Sequence, residues 1–183
     1  MSKHVWSQNG EKIQQAFLKA LGDVEVFPQF KIWKTPTIGG VPRDELLKLL
    51  QNEGHDVSDW ARDIMSQPAF TTSSEASEIT LIRIKVKNLG FTYYPTTIQL
   101  FARIKEVGDL CPAEVGPYLC ALNDQPKGDW FWIAMEPITG PDGDPRVFSV
   151  RRRDDGKLWL SAVYTSPGSQ WGLECEIVFR LRK

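Results

Sequence analysis

Hydrophobic and polar residues alternate with period two through the last third of the chain, and the alternation predicts four strands. From Leu173, the residues Leu173, Cys175, Ile177, Phe179 and Leu181 fall on one face, while Glu174, Glu176, Arg180 and Arg182 fall on the other. That is the pattern of a half-buried strand with one solvated face. Residues 157–165 place Leu158, Leu160, Ala162 and Tyr164 on one side, with Trp159, Ser161 and Val163 on the other. A shorter strand over 146–152 is closed by Asp154, Asp155 and Gly156, and 130–138 is apolar on both faces, as a covered strand would be. Turn residues separate these segments, from Thr139 to Pro145 and from Ser166 to Ser169. Consecutive strands joined by short turns predict an antiparallel meander.

The first half follows a helical period instead. Ile13, Ala16, Phe17, Ala20 and Leu21 predict a helix over 11–21, with Asn9 as cap and Gly22 as stop. An extended segment over 30–38 ends at Gly39 and Gly40. Pro42 opens a second helix, with Asp44 and Glu45 in its first turn and Leu46, Leu47, Leu49 and Leu50 as its apolar face, ended by Gly54. Ser58 caps a third, with Trp60, Ala61, Ile64 and Met65 on one face and Pro68 as its limit. Asp59 and Asp63 outweigh Arg62 on that helix, which argues against a DNA-reading helix pair. Residues 71–77 are composed like a linker, Thr80 to Val86 alternate as a strand, and Thr96 with Gln99 forms a capping box for a helix that runs to Gly108. The expectation is one α+β domain over 1–183: an antiparallel sheet of about five strands with the N-terminal helices packed on it. Its helical part spans 1–70, its possible hinge 71–77 and its strand, helix and meander part 78–183.

Composition narrows the functional classes. The chain has 183 residues, 42% hydrophobic and 25% charged, with a formal net charge of −1. That balance argues against DNA, against a membrane surface and against a dedicated RNA binder. Three widely spaced cysteines do not describe a disulfide framework and favour a reducing compartment. No segment has the length of a signal peptide or a membrane span, so the expected location is the cytoplasm.

No metal-ligand spacing, phosphate loop or nucleophile motif occurs, so no metal or cofactor is expected. The loop from Leu110 to Pro117 carries a thiol, Cys111, and a carboxylate, Glu114, on a backbone stiffened by Pro112, Gly116 and Pro117. In an enzyme, Glu114 or Glu136 would serve as acid or base, Cys111 as nucleophile and Gln125 as the group that orients substrate. Such an enzyme would be a hydrolase or transferase acting on a small polar or sugar-like substrate. Trp130 and Trp132 share a strand face with Glu136 and read as a second buried face under the N-terminal helices or as a ligand contact. Asp142, Gly143 and Asp144 form a hairpin turn and lack the ligand order of a calcium loop. Arg151 to Arg153 is the sole basic run, with Trp159 across a strand from it, a combination used for single-stranded nucleic acid. Alternation sends Arg151 and Arg152 to opposite faces, and Asp154 and Asp155 follow at once, as at a solvated strand end.

The segments 111–117, 124–126, 133–138 and 142–148, together with Phe30 to Lys34 and Trp60 to Ile64, resemble a family of uncharacterised bacterial proteins. The resemblance implies a bacterial chain in which these segments form one structural unit, and it implies no activity. The functional expectation is therefore a soluble intracellular protein that binds a ligand or protein partner without catalytic chemistry. Its contact surface would be the strand face at Trp130 and Trp132 with the loop 111–117.

Overall fold

The computed structural model describes residues 30–122 and 124–182. The helix expected over 11–21 lies outside the described residues. In chain order the elements are β1 (Ile32–Lys34), β2 (Thr37–Ile38), α1 (Arg43–Asn52), β3 (Asp56–Val57), α2 (Asp59–Ser66), β4 (Ser77–Glu78), β5 (Leu81–Lys85), a 3-10 turn (Val86–Leu89), α3 (Thr97–Val107), α4 (Val115–Ala121), β6 (Trp130–Ile133), β7 (Ile138–Thr139), β8 (Pro145–Arg152), β9 (Leu158–Tyr164) and β10 (Glu176–Arg180). The class is α+β.

The main sheet has eight strands rather than five, in the order β1-β5-β10-β6-β8-β9-β3 with β7 beside β8, and β2 and β4 form a separate pair. It is mixed rather than wholly antiparallel, because β10 runs parallel to β6 and β3 parallel to β9. The meander holds for β6, β8 and β9 and fails at β10, which crosses the sheet to lie between β5 and β6. There Ile177, Val178 and Phe179 are all buried, so the centre of β10 has no solvated face. A central strand is covered on both sides whatever its alternation suggests.

Local signals set the helix ends. The Ser58 hydroxyl accepts from the Ala61 N–H at 3.1 Å, and Thr96 with Gln99 closes the capping box of α3. Ala61, Ile64 and Met65 are buried on α2, but Trp60 is 48% exposed. Its ring instead lies under the Arg146 guanidinium, 4.1 Å from the ring centroid.

Helices cover both faces of the sheet. On one face α4 meets Phe148, where a Cβ on Gly116 would stand 2.8 Å from that side chain. Phe70 packs edge-on against the same ring at 6.0 Å. On the other face, Phe101 of α3 and Trp171 cover the β5–β10–β6 side, with Trp171 donating from Nε1 to the Thr97 hydroxyl at 3.0 Å. The segment 71–77 is tied at Ser73, whose carbonyl accepts from the Gly40 N–H, and at Ser77 through the pairing of β4 with β2.

Candidate functional site

The catalytic candidates are engaged separately. Cys111 hangs beside the sheet through its N–H to the Ala134 carbonyl, and its buried Sγ lies 3.7 Å from the Val178 carbonyl. Burial pushes its thiol well above the ordinary range, only slightly opposed by Arg180, so the group is held as a neutral thiol. Glu114 is also buried, and its carboxylate accepts from the Ser73 N–H at 3.2 Å and from the Ser73 hydroxyl at 2.7 Å. Glu136 points to solvent and pairs with Lys105 of α3 at 2.9 Å. Gln125 is buried, its amide nitrogen 3.5 Å from the Leu119 carbonyl and its Oε1 without a partner among the described residues.

A concavity of about 440 Å³ beside the loop is lined by Ser73, Asp109, Pro112, Arg180 and Arg182, but by neither Cys111 nor Glu114. Asp109 occupies both arginines there, accepting from Arg180 at 3.0 Å and from Arg182 at 3.1 Å. Among the described residues no group of three His, Cys, Asp or Glu could hold a metal ion.

The aromatic candidates do come together. Trp130 and Trp132 stack with ring centroids 4.2 Å apart and planes inclined by 38°. Trp130 is 43% exposed, and Trp132 meets Trp171 in a T-shaped contact with ring centroids 6.1 Å apart. The register places Trp130 opposite Arg151, Arg151 opposite Trp159, and Trp159 opposite Asp56. Directly opposed residues project to the same side of a sheet. One cross-strand row therefore reads Trp130, Arg151, Trp159, Asp56, and the next reads Trp132, Ser149, Ser161.

Cations lie against these rings. The Arg151 guanidinium is 5.9 Å from the Trp130 centroid, and that of Arg153 is 4.7 Å from Trp159. Arg153 is also bound to Asp56 at 2.5 Å, whereas Arg151 has no carboxylate partner among the described residues. Arg152 points to the opposite face and donates to the backbone carbonyls of Gln125 and Gly156.

The row arises from a register shift. Counted back from the pairing of Ile138 with Arg146, an unbroken hairpin would set Trp132 opposite Arg152, on the face covered by α4. The break between β6 and β7 instead sets Trp132 opposite Ser149. A shift by an odd number of residues exchanges the two faces of a strand. Trp130 and Trp132 thus lie away from α4, and the loop 111–117 is on the other side of the sheet, against Phe148. The expected surface of Trp pair plus loop is therefore divided between two faces. The opposition of Arg151 and Trp159 was readable from the tight turn between β8 and β9. The third member, Trp130, was not.

At its far end the row meets a concavity of about 510 Å³ lined by His55, Asp56, Asp59, Arg62, Arg153 and Trp159. Its arginines are matched by carboxylates, Arg62 with Asp59 at 3.5 Å and Arg153 with Asp56. Burial lowers the pKa of His55, with Glu53 opposing and the positive charge of Arg152 adding to the fall, so the ring is neutral at pH 7. The charged side chains lining that concavity are matched, whereas Arg151 has no carboxylate partner among the described residues.

Comparison of the chain with protein-family models, with curated proteins and with solved structures gives no match.

Proposed function

We propose that this is a binding protein whose contact surface is the face of β6, β8 and β9 that carries Trp130, Trp132, Arg151 and Trp159. The observation that supports the reading is the exposed Trp130 ring, stacked on Trp132 and adjoining an arginine without a carboxylate partner. A large apolar ring left at the surface sacrifices burial, and a planar ligand stacking on it recovers that loss. Trp132, wedged between Trp130 and Trp171, holds the outer ring in place, so little side-chain freedom remains to be lost on binding. The alternative, a hydrolase or transferase with Glu114 or Glu136 as acid or base and Cys111 as nucleophile, has less support, because each of these groups is engaged with a different partner.

The test is calorimetric titration with three classes of planar or ring ligand: neutral oligosaccharides, mononucleotides and single-stranded oligonucleotides. The expected result is saturable binding of at least one class that Trp130→Ala weakens about fivefold or more. Heats absent for all three classes, or unchanged in the variant, would remove the surface from consideration.

A further inference from the structure

Building on the reading of this face as the contact surface, we propose that its ligand is a single-stranded nucleic acid, with bases stacked on Trp130 and Trp159 and a phosphate drawn to Arg151 between them. Three features of the row select this class. The first is order. Neighbouring strands lie about 4.8 Å apart, so the register sets the backbone positions of Trp130 and Trp159 about 10 Å apart, with that of Arg151 between them. A single strand presents the same sequence of base, phosphate and base.

The second feature is charge. Arg153 is committed to Asp56, and the concavity beyond it is balanced, whereas Arg151 has no carboxylate partner among the described residues. A neutral sugar would use the rings and leave that guanidinium unmatched. An anionic chain uses both.

The third feature is shape. Trp130, 43% exposed, and Trp159 project from one face of the sheet in the same cross-strand row, as aromatic platforms of the kind on which unpaired bases stack. Bases in a duplex have their faces covered by their neighbours, so stacking of this kind requires an unpaired strand, as on other sheet surfaces that bind single strands. The net charge of −1 argues against a dedicated nucleic-acid binder, but the contact proposed here is local and rests on stacking more than on net charge. It also limits the electrostatic share. With one free arginine and one shared, about one to two phosphates are neutralised. With a slope of log affinity against log salt of about −0.7 per phosphate, affinity should fall only about three- to sevenfold between 50 and 200 mM salt.

Fluorescence anisotropy of labelled 12-mers decides the matter, using a U-rich RNA, a T-rich DNA and the duplex of the latter. The expected result is binding of the single strands in 50 mM salt, with the duplex at least about tenfold weaker. Comparable RNA and DNA affinities would assign recognition to base and phosphate, and a preference for RNA would add a contact to the 2′-hydroxyl. Trp130→Ala should weaken binding roughly 5- to 150-fold, the range for one stacked base. Arg151→Glu should weaken it and flatten the salt dependence, with circular dichroism confirming that both variants are folded. No anisotropy change up to 100 µM protein, equal affinity for the duplex, or binding that both variants leave intact would overturn the proposal. Trp130-dependent binding of oligosaccharides or mononucleotides alone would also overturn it while leaving the contact surface standing.

Discussion

Cys111 and Trp130 illustrate how little a residue type says about its use. A cysteine followed by proline, in a loop with a carboxylate, is a reasonable place to look for a nucleophile. In the fold its sulfur lies beneath β10, where burial suppresses the thiolate that such chemistry needs. Cys120 is pushed up to about 12 by the same desolvation. Iodoacetamide at pH 8 should therefore leave Cys111 and Cys120 unlabelled in the native protein, while both are labelled in denaturant. Mass mapping of the alkylated peptides checks this, and rapid native labelling of Cys111 would reopen the nucleophile question. Glu114 carries a similar lesson. Its carboxylate satisfies the backbone and hydroxyl of Ser73 across a gap of 41 residues, a partner that spacing along the chain does not suggest. Of the six candidate side chains named from sequence, the fold brings the two tryptophans into ring contact, while Cys111, Glu114 and Glu136 are engaged with separate partners.

The elements were legible where a local signal existed. Ser58, the capping box of Thr96 and Gln99, and the turn at Asp154 to Gly156 each act within a few residues, and each marks an element boundary in the structure. What alternation missed was interruption: the apolar run 130–138 is two strands, because its pairing with β8 breaks between Ile133 and Ile138 and resumes in another register. Gly116 shows an element constrained from outside itself. It lies in the first turn of α4, where alanine would be the better helix former, but an added Cβ would stand 2.8 Å from Phe148. Gly116→Ala should therefore destabilise the protein by about 1–3 kcal/mol, as overpacking does, measured by urea denaturation. A neutral or stabilising effect would mean that α4 can lift from β8 without loss.

Assembly of the whole molecule depends on contacts between elements remote in sequence, and Arg146 is the clearest of them. Its buried side chain lies over Trp60 of α2 and binds Asp142 at 2.5 Å in the β7–β8 turn, joining helix and sheet. Hydrogen bonds from Arg146 hold the Asp142 carboxyl at about 2, against an ordinary 3.8, with burial opposing the shift. Because the folded value is depressed, the stabilisation is complete above about pH 4 and is lost as pH falls toward 2. Asp142→Asn should lower the urea midpoint at pH 7 and lose less of its remaining stability than the wild type between pH 4 and 2. Parallel slopes for the two proteins across that window would show that the pair does not couple to folding. No helix of the described residues is long and apolar enough to cross a membrane. The α+β class, the caps and the β8–β9 hairpin could be read from the chain because short-range sterics and hydrogen bonding settle them within a turn or two. The number of strands, the parallel placement of β10 and the face on which the tryptophans emerge could not, because they follow from which strands pair, and in what register, over separations of tens of residues. Alternation has a period of two, so a three-residue slip leaves the pattern along the strand intact and reverses which residues meet the core.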